Sequence, residues 1–180
     1  IVVGSINQDV TVTVDRFPSP GETLSGTSLT YSLGGKGANQ AAAAAHSGVP
    51  VFFVGAVGAD PSGQRLRADL ASHGVDVTHL REVDGPSGTA LITVASSGEN
   101  TIILDAGANA TVTVEPAKAS LFPAPADIVV LHAEIPAAAP AAGSSRPPLR
   151  SPSLTPNITT PPTLARGRPI LLGAPSTRLL

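Results

Sequence analysis

The stretch SLGGKGANQAAAAAHSG, residues 32–48, decides the fold because it sets a glycine-rich loop before a run of strong helix formers. Residues 38–47 have the composition of a helix, and Gly48 is a typical helix stop. Short apolar runs flank this unit, IVVGSI at residues 1–6 and VPVFFVGAVG at 49–58, as in strands buried on both faces. The order predicts a βαβ unit with a parallel sheet.

The same alternation continues beyond the second strand. Asp60 and Pro61 have the residue types of an N-cap and a first helical position, Leu66 and Leu70 share one helix face, and Gly74 would close the helix. The run ADIVVLHAEI, residues 126–135, is a further buried strand. Residues 1–135 are therefore predicted to form an α/β domain.

Other segments predict exposed β-structure beside this sheet. DVTVTVD, residues 9–15, alternates between valine on one face and polar residues on the other. Residues 22–32 suggest a second strand that can pair with it, and residues 89–104 suggest a hairpin around Ser97, Gly98 and Glu99.

Composition narrows the class of protein. A chain of 180 residues suits one domain. It contains no cysteine and no apolar run of about 20 residues, so we expect a cytoplasmic protein without disulfides or a membrane span. All 13 acidic residues precede residue 135, whereas residues 136–180 carry five arginines and 10 of the 18 prolines. That second segment is predicted to be disordered. Its arginines are scattered without aromatic residues, so nucleic acid is not an expected partner.

The glycine loop offers a specific set of ligand groups. It is not a Walker phosphate loop, because Gly37 rather than a hydroxyl residue follows Lys36, and it lacks the third glycine of the dinucleotide fingerprint. It does combine bare backbone, one cation and the amide of Asn39 at a helix start. Asn7 and Asp9 follow the first buried strand, where ligands of open α/β sheets bind. This inventory suits a polyhydroxyl compound.

The motifs together resemble the ribokinase-like (PfkB) family of carbohydrate kinases. The matching segments are GSINQD (4–9), FPSPGET (17–23), GGKGANQA (34–41), VGAVGADPSG (54–63), GTALITV (88–94), GEN (98–100) and AGANA (106–110). They cover residues 1 to about 135, and nothing after Pro136 matches. The resemblance implies a parallel sheet sandwich with a small β-sheet lid, which closes over the sugar and can pair with the lid of a second subunit in a homodimer.

The resemblance also implies the residues that contact the sugar, with ribose the expected one. They are Asn7, Gln8, Asp9, Gly35, Lys36, Gly37, Ala38, Asn39 and Glu134. ATP, Mg²⁺ and K⁺ are implied cofactors. The family's catalytic base and anion hole belong to a late Gly-Ala-Gly-Asp segment, and the cofactor sites lie mostly in the same C-terminal half. This sequence contains no such segment. We therefore expect a domain truncated on its C-terminal side, a tail that is either disordered or the product of a frameshift, and no catalysis by the chain alone.

Alternative interpretations stay open at this level. The chain could derive from a kinase for another sugar or a nucleoside, or act as a non-catalytic sugar-binding fragment. Asp9 could be a solvated acid at a strand end, and Lys36 a surface charge. The histidines at positions 46, 73, 79 and 132 lack the spacing of metal ligands and are interpreted as structural. Asn109 is interpreted as a turn or cap residue rather than a site residue.

Overall fold

The computed structural model describes residues 1–112 and 128–131. Ten elements form a small α/β domain with two sheets. In chain order they are β1 (Val2–Val3), β2 (Asn7–Val14), β3 (Ser28–Gly34), α1 (Lys36–His46), β4 (Phe53–Gly58), α2 (Pro61–Ser72), β5 (Leu80–Val83), β6 (Gly88–Ala95), β7 (Asn100–Asp105) and β8 (Val130–Leu131). A 3₁₀ helix, Gly107–Thr111, follows β7.

The first sheet, here called the base sheet, has the strand order β5-β4-β1-β8 and is parallel throughout. Its main core contains Ile6, Phe53 and Leu70, each 0% exposed, and both helices contribute to it. A second cluster joins Val3 and Ala56 to the 3₁₀ helix through Ala108 and Val112. The predicted parallel sheet is thereby confirmed.

The second sheet, here called the lid sheet, has the order β3-β2-β6-β7. Strands β2 and β3 are antiparallel, as are β6 and β7, so the predicted pair of strands and the predicted hairpin both form. The second strand of the pair spans Ser28–Gly34 rather than the predicted residues 22–32. The two ribbons join through a parallel pairing of β2 with β6. This junction connects residues about 80 positions apart in the chain, from Asn7–Gly88 to Val14–Ala95.

Several predicted boundaries differ from the observed ones. Helix α1 begins at Lys36 rather than at residue 38, because Gly35, with φ of 89°, turns the chain directly into the helix. Only Val2–Val3 of residues 1–6 pair as a strand, and β5 was not predicted at all. Of the predicted strand at 126–135, residues 130–131 form β8, and the ends lie outside the described residues.

The predicted N-cap of α2, Asp60, is confirmed. Its carboxylate also bonds to the residue that precedes the lid strand β6. Asp60 Oδ1 accepts hydrogen bonds from the Gly63 backbone N–H at 2.6 Å and from the Ser87 hydroxyl at 2.7 Å. Its Oδ2 accepts from the Ser87 backbone N–H at 2.8 Å. Since Ser87 immediately precedes β6, one carboxylate holds both the start of α2 and the entry to the lid sheet.

The start of α1 packs directly against the main chain that follows β1. A methyl group at Gly37 would lie 2.7 Å from Gly4 Cα and from Ser5 N. One at Gly35 would lie 2.7 Å from Ser5 O and 2.8 Å from Ile6 Cα. Because real Cβ atoms do not approach backbone this closely, only glycine fits at either position.

Gly37→Ala tests this contact, because close packing and helix propensity predict changes of opposite sign in the free energy of unfolding. Alanine at an exposed helix position is more stable than glycine by up to about 1 kcal/mol. Here we expect the substitution to lower the free energy of unfolding by about 2 to 3 kcal/mol, because backbone must move to admit the methyl group. Urea unfolding followed by circular dichroism measures the change. Ala43→Gly, at an exposed position of the same helix, is the control for propensity alone, and a stabilising Gly37→Ala would contradict the packing.

None of the helices within residues 1–112 and 128–131 is long and apolar enough to cross a membrane.

Candidate functional site

The candidate site lies where the first residues of β2 meet the junction of β3 and α1. Asn7 pairs in register with Gly34, and Asp9 with Ser32. On its other side, Asp9 is level with Ala90 of β6, which pairs with Leu104 of β7. Residues two apart in a strand point to the same face, so Asn7 and Asp9 lie on one face of the lid sheet. Their paired partners, including Gly34 of the glycine loop, share that face.

Asp9 is the most unusual group in this region. Its carboxylate lies over Gly34 so closely that a methyl group there would overlap it. The residue is half-buried, yet its Oδ1 is buried and has no hydrogen-bond partner within the described part of the chain. Burial raises the pKa of the Asp9 carboxyl above its usual value. A buried acceptor without a donor is costly for a folded protein, and a ligand hydroxyl is the natural group to satisfy it.

Asn7 is held in place by Asn109. The Asn109 side-chain NH₂ donates to Asn7 Oδ1 at 2.8 Å, and Asn7 is 6% exposed. The same Asn109 amide bonds to the main chain of Ile6, accepting from Ile6 N and donating to Ile6 O, both at 3.0 Å. Gly88 lies so near that any side chain there would overlap both amides. Asn109 therefore orients the residues that precede Asp9.

Gln8 points away from this group. Strand side chains alternate between faces, and Gln8 Oε1 lies 3.5 Å from Arg65 Nη2 of α2. The structure thus brings Asn7 and Asp9 together but sends the side chain between them to the opposite face.

The remaining predicted site residues occupy the start of α1. Lys36 and Asn39 are exposed in its first turn, whereas Ala38 is 0% exposed and belongs to the main core. One amide that a helix start would otherwise offer to a ligand is already used, because Ala38 N donates to Ser5 O. Asn39 N makes the first internal hydrogen bond of the helix, to Gly35 O. Gly35 and Gly37 provide close packing. Glu134 lies outside the described residues.

Two features of the site were not predicted from the sequence. Asn109 was interpreted as a cap or turn residue, and its polar pairing with residues 6 and 7 spans about 100 positions of the chain. The 3₁₀ helix that carries it was also missed. The only available signal was a polar residue between alanines in AGANA, next to a glycine. No metal centre is indicated at this site, since within residues 1–112 and 128–131 no group of three His, Cys, Asp or Glu side chains converges.

Comparison with known proteins shows which family this chain resembles. Residues 1–144 match the model of the pfkB family carbohydrate kinases, so the match extends beyond Pro136, where the sequence motifs end. The chain is 46% identical over 109 residues to ribokinase from Haemophilus influenzae and 42% identical over 137 residues to ribokinase from Bacillus subtilis. Those matches cover 60% and 75% of this chain but only 36% and 46% of the two relatives. The chain thus spans less than half the length of either relative.

Similarity also extends to three dimensions. The structure of Arabidopsis thaliana ribokinase complexed with ribose and ATP superimposes with a TM-score of 0.64 at 38% identity, covering 75% of this chain and 45% of that one.

Proposed function

Since the chain belongs to the pfkB family of carbohydrate kinases, we propose that it forms the sugar-binding part of an ATP-dependent ribokinase, which converts D-ribose to ribose 5-phosphate. The observation that carries this proposal is the buried, unpartnered Oδ1 of Asp9. Such a carboxylate can accept hydrogen bonds from sugar hydroxyls, and charge-assisted hydrogen bonds of this kind are the strong ones. The predicted cytoplasmic location is part of the same proposal.

The geometry supports sugar positioning as the chemical contribution of this region. Phosphoryl transfer depends chiefly on holding the reacting groups in place and on stabilising charge. Asp9 and Asn7 project from a strand whose backbone is fixed by Asn109. Lys36 and Asn39 stand at the neighbouring helix start. A sugar held between them would be fixed by groups on rigid elements, as efficient transfer requires.

Ribose is proposed over other sugars and over nucleosides because of the relatives. The Haemophilus and Bacillus proteins are both ribokinases, and the Arabidopsis structure contains ribose. A nucleoside kinase from Methanocaldococcus jannaschii shares the fold at 19% identity, a level that carries no information on the substrate.

ATP is proposed as the phosphoryl donor, again by analogy with the Arabidopsis complex. We place the nucleotide, Mg²⁺ and K⁺ on the part of the relatives that this chain does not span. Around the sugar site, the described residues include no group of three His, Cys, Asp or Glu side chains that could hold such an ion. The 180-residue chain is therefore proposed to bind ribose without phosphorylating it.

Two measurements on the 180-residue chain test the proposal. Saturation-transfer NMR with D-ribose, D-fructose and adenosine should give a signal for ribose above the other two. A coupled ADP-release assay with ATP, Mg²⁺, K⁺ and ribose should show no sugar-dependent turnover. Absence of ribose binding, or stronger binding of adenosine, would contradict the sugar site. Ribose-dependent ADP release would instead show that catalytic groups lie within this chain.

A homodimer formed through the lid sheet is a second part of the proposal. On the face opposite Asp9, Tyr31, Leu91 and Ile103 form a row with Val10, paired strand to strand. Tyr31 is 58% exposed, Leu91 52% and Ile103 69%. Monomeric proteins rarely expose contiguous apolar patches of this kind. A second copy of the same sheet presents the same patch, as a two-fold interface requires.

Ile103→Glu should therefore shift the protein from dimer to monomer, since a charge would be buried at the centre of the interface. Analytical ultracentrifugation over a range of concentrations measures the dimer dissociation constant, which we expect to rise by at least about tenfold. Val49→Glu is the matched control, because Val49 is 53% exposed but lies outside the lid sheet. Equal sedimentation of both variants would refute the lid interface.

A further inference from the structure

His46 and His73 form a close pair at the ends of the two helices. His46 is the last residue of α1, and His73 caps the C-terminus of α2. His73 Nδ1 lies 3.2 Å from His46 Nε2, the ring centroids are 5.1 Å apart, and both side chains are exposed. Lys36 and Asn39 of the sugar site lie at the start of α1, whereas His46 is at its opposite end, and neither histidine belongs to that site.

We propose that this pair binds one divalent transition-metal ion of the zinc type, with water completing its coordination. Imidazole nitrogen is a preferred ligand of such ions. Two nitrogens bound to a tetrahedral ion at about 2.0 to 2.1 Å from it are separated by roughly 3.3 Å. The observed separation of 3.2 Å therefore equals that of two zinc ligands within a few tenths of an ångström.

The surroundings of the pair also favour a cation. Both α1 and α2 end at these histidines, and the C-terminal end of a helix carries a partial negative charge. No lysine or arginine occupies the last turn of either helix. A bound ion would thus meet two helix ends of favourable sign and no competing side-chain cation in those turns.

Metal binding involves a change of tautomer in one ring. In the neutral pair one ring nitrogen donates its hydrogen to the other. When the ion binds, that hydrogen moves to the opposite nitrogen of its own ring, so both facing nitrogens present lone pairs to the metal. Each imidazole keeps one hydrogen, and no net proton is released.

The bound ion would cross-link the C-terminal ends of the two helices. Both helices contribute to one core cluster through Ala41 of α1 and Leu70 of α2, and the metal would tie their C-terminal ends together on the surface. A ligand that binds only the folded state stabilises it in proportion to the logarithm of its concentration. Zinc should therefore raise the melting temperature of the chain.

Calorimetric titration of ZnCl₂ into the chelator-treated 180-residue chain tests the site. We expect one ion per chain, and His46→Asn and His73→Asn should each weaken binding by at least about tenfold. The double variant His79→Asn/His132→Asn removes the other two of the four histidines and should bind like the parent. Both pair residues are exposed, so these variants should fold.

Thermal unfolding with and without ZnCl₂ gives a second readout. The parent and the His79/His132 double variant should melt at a higher temperature with zinc, whereas the two single variants should not respond. Equal zinc binding by the parent and both single variants would overturn the proposal, as would a parent chain that binds no zinc.

Discussion

Asp9→Ala is expected to weaken ribose binding by roughly one and a half to three orders of magnitude. The substitution removes the carboxylate that would accept hydrogen bonds from two sugar hydroxyls, which corresponds to roughly 2 to 4 kcal/mol. Saturation-transfer NMR or calorimetry with the 180-residue chain measures the affinity. The same change in a completed kinase should lower kcat/KM for ribose by a similar factor.

Asp15→Ala is the matched control for this variant. Asp15 directly follows β2, the strand that carries Asp9, but it is exposed and lies at the far end of the strand. We expect unchanged ribose affinity. If Asp9→Ala bound ribose as well as Asp15→Ala does, Asp9 would be a half-buried acid without a role in the site.

The raised pKa of Asp9 predicts opposite effects of pH on stability and on binding. Burial raises the folded-state pKa of this carboxyl, so its contribution to stability is present below the unfolded-state value of about 3.9 and is lost as pH rises through the folded-state value. Asp9→Asn should therefore melt at a higher temperature than the parent at neutral pH without sugar. Ribose affinity should fall as pH decreases through the raised pKa, but not in Asp9→Asn.

The glycine loop shows what a sequence pattern leaves open. The glycines of GGKG leave the main chain open to close approach. Either a ligand or another segment of the same chain can make that approach. In the structure Gly35 and Gly37 serve the second purpose, because the main chain of residues 4–6 lies against them. Only the contact across about 30 positions distinguishes the two uses, and no local propensity encodes it.

Gln8 illustrates the effect of a strand boundary. Starting the strand at Asp9 leaves Asn7 and Gln8 in a loop where all three side chains could converge. Because β2 begins at Asn7, alternation separates Gln8 from its neighbours. The alternation of side chains along the strand was predictable from the sequence. The first residue of the strand was not, because it depends on the pairing of Asn7 with Gly34 and Gly88, two residues distant in the sequence.

The elements that were predicted correctly have local causes. Helix α2 has its N-cap Asp60, its first-turn proline and two buried leucines, all readable within a dozen residues. Strand β5, by contrast, has the sequence LREV with two exposed charged residues. It is a strand because it pairs with Gly55–Gly58 of β4 at the sheet edge, which its own composition does not indicate.

Asn109→Ala is expected to lower the free energy of unfolding by about 4 kcal/mol. Asn109 is 2% exposed and satisfies the N–H and C=O of Ile6 and the Oδ1 of Asn7. The truncation leaves these buried groups without partners, at about 1 to 3 kcal/mol for each group. Urea unfolding measures the loss. Asn100→Ala, at an exposed position of β7, should cost less than about 1 kcal/mol, and equal losses would contradict the bridging role.

Asn109→Asp separates the hydrogen bonds of this side chain from its shape. The ionised aspartate keeps the acceptor for Ile6 N but faces Ile6 O and Asn7 Oδ1, both acceptors, where the amide donated. Protonation restores one donor, so the folded-state pKa of this aspartate should be raised, and the stability it provides should be lost as pH rises through that value. Relative to the parent, the variant should be more stable at pH of about 4 than at about 7, whereas Asn109→Ala should show no such difference. A pH-independent Asn109→Asp would mean that the side chain fills space without donating. The orientation of Asn7 beside Asp9 would then need another cause.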